Sequence, residues 1–152
     1  MGNLKVFTIQ GRLNRMPYNI FSFALMLVSV VILTLMFLIQ AYLKAHLNLV
    51  SGIFANALIV SALIAIFIVI LCFIGQVTLT IRRLHDLNLS GWFYLIFIIP
   101  DTLTATLYNE TNSLMKMISI ILTLIPVIFF LLLMFKRGTD GENKYGADPL
   151  SK

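Results

Sequence analysis

The chain has little charge, less acid and almost no cysteine. Charged residues make up 11% of its 152 positions, against roughly a quarter in ordinary globular proteins. With 60% of residues hydrophobic and a mean hydropathy of +0.99, that scarcity excludes an ordinary water-soluble domain and implies immersion in a bilayer. The single cysteine, Cys72, excludes a disulfide framework and a thiolate metal centre. Deep in an apolar run, it reads as a small buried hydrophobe. Six acidic residues face eleven Lys and Arg, a formal charge of +5. In so apolar a chain that excess flanks membrane spans and does not mark a nucleic-acid binder. There is no Walker loop, no G-x-G-x-x-G and no H-E-x-x-H, so neither nucleotide nor zinc is expected by motif, and no cofactor is implied. No internal repeat, low-complexity tract or linker divides the sequence. A single membrane domain over residues 1–152 is the expectation.

Four apolar stretches are present. The first, Tyr18–Leu43, reaches roughly 39 Å as a helix, enough to cross with some tilt. It is too long for the apolar region of a signal peptide, and no A-x-A-like site follows, so it reads as a retained span. Pro17 suits its first turn, and Lys44, His46 and Asn48 end it. The second runs from Ile53 to Ile81, with Arg82 and Arg83 at its C-terminus, where cations answer unpaired carbonyls. The third, about 92–108, is interrupted by Pro100-Asp101, and the fourth, about 114–135, contains Pro126. The expected fold class is all-α: a polytopic membrane helical bundle of four transmembrane segments, the third short or broken near Pro100. Four crossings put Lys5, Arg12, Arg15, Arg82, Arg83, Lys136, Arg137, Lys144 and Lys152 on one side, nine of the eleven basic residues. Only Lys44 and Lys116 fall opposite. Positive residues accumulate on the cytoplasmic side, so both termini and the tail 136–152 are expected there. A three-span arrangement would carry the tail's basic residues outside.

The polar residues are concentrated where the spans meet water. Arg82-Arg83-Leu84-His85-Asp86, followed by Ser90-Gly91-Trp92, lies between two apolar runs and must sit at the membrane boundary. Gly11-Arg12-Leu13-Asn14-Arg15 precedes the first span. After the fourth, the stretch from Gly138 through Asn143, Tyr145, Gly146 and Asp148 to Pro149 is turn chemistry. The tail is expected to fold back under the helices, with Tyr145 as an anchor and Asp140, Glu142 or Asp148 paired with the arginines. Gly91, Trp92, Pro100, Gly141, Asn143, Tyr145, Gly146, Asp148 and Pro149 are therefore assigned structural roles.

In this order, G-R-x-x-R, then R-R-L-H-D…S-G-W, Ile99-Pro100 and G-T-x-G-x-N-x-Y-G-x-D-P, the set resembles the YhaH-like small bacterial inner-membrane proteins, domain of unknown function 805. The resemblance covers nearly the whole chain. It implies a bacterial inner-membrane location and a small helical fold, and it implies no activity. Two departures stand out. Met16-Pro17-Tyr18-Asn19 replaces a charged-aromatic pair ending in Trp, and residues 101–137 separate the Ile-Pro from the tail, which short members nearly abut.

For the Arg82–Asp86 knot, the simplest reading makes the arginines topology anchors and Asp86 a cap or arginine partner. The sharper one makes Arg12, Arg15, Arg82, Arg83, His85 and Asp86 a site for an anionic headgroup or a partner protein, since guanidinium forks suit phosphate oxygens. His85 and Asp86 are adjacent on a helix and point about 100° apart, so a triad with Ser90 is disfavoured. His46 and His85 fall on opposite membrane faces, so a shared metal is disfavoured too. Gln40, Ser61 and Gln76 are expected to bond between helices. The resulting expectation is a non-enzymatic membrane protein, without catalytic or metal-ligating residues, whose partners are membrane lipids and a membrane protein or second copy. A small transporter or channel component using Asp101 or the knot is the alternative, and an enzyme using His85 and Asp86 comes third.

Overall fold

A computed structural model describes residues 8–46, 52–108 and 112–151. Lys5, Asn48 and Lys152 lie outside these residues. The described chain is helical and contains no strand. In order it forms α1 (Arg15–His46), α2 (Gly52–Asp86), a 3-10 turn (Gly91–Tyr94), α3 (Leu95–Tyr108) and α4 (Ser113–Phe135). In hydrocarbon every backbone N–H and C=O must be paired within the segment, which is why apolar runs of this length become helices. Among the described residues, three helices are long and apolar enough to cross a membrane: α1, α2 and α4. They turn large apolar side chains outward, Leu27, Phe37, Phe67 and Met117 among them, as a lipid-facing surface requires. The protein is thus an all-α bundle of integral-membrane type.

The third segment takes the short form. The 14 residues of α3 follow directly on the 3-10 turn, and the helix continues through Pro100 without a break. Pro126 is likewise contained within α4. The helix starts follow capping rules. The Asn14 carbonyl accepts the first helical N–H of α1, from Tyr18 at 3.1 Å. Pro17 falls in that first turn, where no donor is needed. Asn112 caps α4 by accepting from the Leu114 N–H at 2.9 Å.

Two compact units can be distinguished. One is Ile20–Gln76; the other joins the segment ending at Asn19 to the chain from Val77 onward. Within the first, Ser61 donates its hydroxyl to the Leu58 carbonyl of its own helix at 2.9 Å, not to a neighbouring helix as expected. Within the second, α3 packs against α4. Tyr94 and Phe97 lie 5.6 Å apart, and Phe97 and Phe129 5.5 Å apart, as tilted rings. Tyr18, Leu79, Leu84 and Leu133 are fully buried there. This unit carries the polar knot.

Candidate functional site

The last turn of α2 brings the knot together. Its helix ends in a Schellman arrangement: the Leu89 N–H donates to Leu84 at 2.9 Å and the Asn88 N–H to His85 at 3.0 Å. Asn88 adopts φ +60°, the left-handed position that Asn tolerates after a helix. The chain then turns at once into Ser90, whose side chain caps the 3-10 turn at the Trp92 N–H. Gly91 packs closely: a Cβ there would stand 3.1 Å from the Ile81 side chain, which would have to give by a few tenths of an ångström. Trp92 is 78% exposed, which suits an indole at the headgroup level.

Arg83 and Asp86 stand one turn apart on α2 and both point inward. Arg83 is fully buried and Asp86 nearly so. One Arg83 terminal nitrogen bonds Asp86 Oδ2, and the other bonds the Lys136 carbonyl. Its Nε donates to the Leu133 carbonyl at 2.9 Å. The guanidinium of α2 is therefore the C-terminal cap of α4, where unpaired carbonyls and the negative end of the helix dipole favour a cation. Asn19 of α1 adds a bond to the Met134 carbonyl at 3.4 Å.

Arg12 completes the cluster from the N-terminal side. Its Nε donates to Asp86 Oδ1 at 3.2 Å, with both side chains almost wholly buried. Its terminal nitrogens bond the carbonyls of Thr139 and Gly141, and reach Gly146 O at 3.4 Å and Thr139 Oγ1 at 3.2 Å. One carboxylate thus bridges two buried guanidinia, and the remaining donors end mainly on backbone carbonyls, those of Arg83 at the end of α4 and those of Arg12 in the tail. The expected pairing of tail acids with arginines is replaced by this arrangement. Asp140 instead pairs with Arg137 at 3.0 Å, both widely exposed, a contact worth little. Asp148 accepts from the Leu150 N–H at 2.8 Å and the Gly141 N–H at 3.2 Å. Those backbone bonds, Leu150 first, hold its carboxyl below the usual aspartate range.

The tail in turn closes α2. The Thr139 N–H donates to the Asp86 carbonyl at 2.9 Å, and Asn143 Nδ2 donates to the His85 carbonyl at 3.0 Å. Asn143 and Gly146 pair across a tight turn. Gly146 at φ +125° closes that turn and Gly141 at φ +74° bends the chain just before it, both at positive φ that glycine adopts without strain. Gly138 is required for a different reason: a Cβ there would collide with the Asp86 carboxylate. His85 stacks flat on Tyr145, ring centroids 3.8 Å apart and 6° from parallel. Its Nδ1 lies 3.4 Å from the Gly11 carbonyl, so its ring hydrogen-bond partner comes from the N-terminal segment. The Leu13 N–H donates to the Arg82 carbonyl at 3.1 Å, fixing that segment along α2.

Of the residues singled out from sequence, Arg12, Arg83, His85, Asp86, Gly141, Asn143, Tyr145, Gly146 and Asp148 share one network. Arg82 joins through its backbone. Arg15 is exposed at the start of α1, Pro149 is exposed in the tail, and Pro100 is buried within α3. Asp101 is exposed on α3. Sequence reasoning missed Thr139, Gly138 and Leu133. The Gly-Thr that opens the tail was a usable signal for the first two; nothing in sequence marks a backbone carbonyl such as that of Leu133. Ser90, His85 and Asp86 point to three different partners and do not form a hydrolytic relay. Among the described residues, no group of three or more His, Cys, Asp or Glu is placed to hold a metal ion.

What this arrangement does chemically is close two helix ends with one another's side chains and the tail. Exposed around it are the cations Arg15, Lys136, Arg137 and Lys144 and the acids Asp140 and Glu142. A family model described as a protein of unknown function (DUF805) matches residues 6–147 of the chain. No curated protein and no solved structure matches it.

Proposed function

The chain belongs to DUF805, a family of unknown function, and from its own geometry we propose that it is a non-enzymatic, multi-pass inner-membrane protein whose basic cytoplasmic face engages anionic lipid. On this reading it is one membrane domain with four crossings, α3 being the third, and both termini are cytoplasmic. The observation that carries it is the charge left over around the knot. Arg12, Arg15, Arg82, Arg83, Lys136, Arg137 and Lys144 outnumber Asp86, Asp140, Glu142 and Asp148 by seven to four. Asp86 offsets one of the two buried guanidinia and backbone carbonyls take up their other donors, while Arg15, Lys136 and Lys144 are exposed and in no ion pair among the described residues. Cations immediately cytoplasmic of membrane helices each gain about 1 kcal/mol from an anionic leaflet. Saturation of His85 and Asp86 by structural contacts argues against acid–base work.

The test is native mass spectrometry of the detergent-purified protein offered phosphatidylglycerol and phosphatidylcholine. Phosphatidylglycerol is expected to be retained preferentially, and the preference to vanish in the combined Arg15→Gln, Lys136→Gln, Lys144→Gln variant. Equal retention of the two lipids by the wild type would overturn the proposal, and a protein co-purifying through the same cations in their place would redirect it to a protein partner.

A further inference from the structure

Along the last two turns of α4, Ile128, Leu131, Leu132 and Phe135 follow one another at helical spacing and line a shallow recess of about 420 Å³, with Lys136 at its end. Leu131, Leu132, Phe135 and Ile128 are all exposed on the surface of a membrane-crossing helix. The recess is apolar along its length and charged only at the terminus of the helix, where the chain leaves the hydrocarbon.

We propose that this recess is a specific seat for an anionic phospholipid, one acyl chain lying along Ile128–Phe135 and the phosphate meeting the Lys136 ammonium. This rests on the reading of the basic face as a lipid-binding face. Lys136 is suited to the task because its backbone is already fixed. Its N–H donates to the Leu132 carbonyl at 2.9 Å, and its carbonyl receives the Arg83 guanidinium. The side chain alone remains to snorkel along the recess toward the headgroup level. Among the described residues no carboxylate forms an ion pair with it. An apolar seat ending in the Lys136 ammonium, which no carboxylate among the described residues neutralises, favours a lipid that carries a negative headgroup over a zwitterionic one. The fully engaged Arg83, which bonds the Lys136 carbonyl, is the rigid backing of the seat and not one of its contacts.

The full-length protein in detergent, titrated with phosphatidylglycerol and read by native mass spectrometry, tests this. Lys136→Gln and Leu131→Trp, the first removing the charge and the second filling the recess, are each expected to weaken phosphatidylglycerol retention about tenfold. Leu124→Trp, on the same helix but outside the recess, is expected to leave it unchanged. Ile128→Trp fills the other end and replaces Leu131→Trp if that variant loses its thermal transition. Wild-type preference for phosphatidylglycerol that survives both recess fillings overturns the seat while leaving the basic-face reading intact. Absence of any preference in the wild type overturns both.

Discussion

Arg12 and Asp86, separated by 74 residues in sequence, form an ion pair at 3.2 Å from which water is almost wholly excluded. Arg12 has no counterion among its own neighbours in the chain. The pair exists because α2 ends at Asp86 and the N-terminal segment runs along that end, and it is stable because Arg83 supplies a second positive charge on the other carboxylate oxygen. Buried charges are tolerated only when paired and hydrogen-bonded, and here each donor has an acceptor.

Removing the shared carboxylate leaves two buried cations facing one another. Asp86→Ala is therefore expected to destabilise the protein by ~3–5 kcal/mol, or to prevent recovery of a monodisperse species from detergent. Breaking the exposed Arg137–Asp140 pair with Arg137→Ala is expected to change stability by less than ~1 kcal/mol. Thermal midpoints measured side by side in one detergent check the ranking, and comparable losses in the two variants would contradict it.

The two tail glycines differ in what they tolerate. A Cβ at Gly138 collides with the Asp86 carboxylate, whereas one at Gly141 meets nothing within 4 Å and is opposed only by φ +74°. Gly141→Ala is expected to lose ~1–2 kcal/mol, the strain of a left-handed alanine. Gly138→Ala is expected to lose more, because the ion cluster itself must move. Chemical or thermal unfolding of the two variants, compared in parallel, decides the order.

His85 and Tyr145 lock the tail by stacking, not by the phenol hydroxyl. Tyr145→Phe is expected to keep the tail protected, while Tyr145→Ala gives up ~0.5–1.5 kcal/mol of ring contact in addition to buried area. Amide hydrogen exchange over residues 139–147 reads this directly. A Phe variant as unprotected as the Ala variant would count against the stack.

Tail docking also carries an acid limb. Asp148 has its carboxyl held below the ordinary aspartate value by backbone N–H groups that exist only in the folded tail. Its contribution is therefore complete above the unfolded value, about 3.9, and is lost as pH falls through the lower folded value. Tail exchange protection is expected to fall below about pH 4 as the Asp148 carboxylate is protonated. Asp148→Asn should flatten part of that fall, and an unaltered acid limb in that variant would assign the effect elsewhere.

The sole tryptophan reports depth. Trp92 is largely exposed at the start of the 3-10 turn, and in liposomes its fluorescence is expected to be quenched more by lipids brominated near the headgroup than near the chain end. Stronger quenching from the chain end would remove the knot from the membrane boundary.

The long helices were legible because hydrocarbon leaves the backbone no alternative, and their bounds follow from where charge resumes. That Gly-rich chemistry folds the tail back was legible too, since Gly141, Asn143 and Gly146 name a turn by composition. The partners were not. Charge arithmetic matches acids to bases, so Asp140, Glu142 and Asp148 looked like the counterions of Arg12 and Arg83. The structure uses Asp86 and backbone carbonyls, and carbonyls are the same at every position of a sequence. Gly138 was overlooked for a related reason: its need arises from a neighbour fifty-two positions earlier, which local turn rules do not see. His85 finding the Gly11 carbonyl, 74 positions earlier, has the same origin.

The carbonyls of His85 and Asp86 receive bonds from Asn143 and Thr139, residues 58 and 53 positions further on. In order of synthesis the end of the second helix precedes the groups that close it by more than fifty residues, and Arg83 precedes Leu133 by 50. Truncation before residue 139 would remove the Thr139 and Asn143 bonds and leave the Arg12–Asp86 and Arg83–Asp86 pairs with both of their partners.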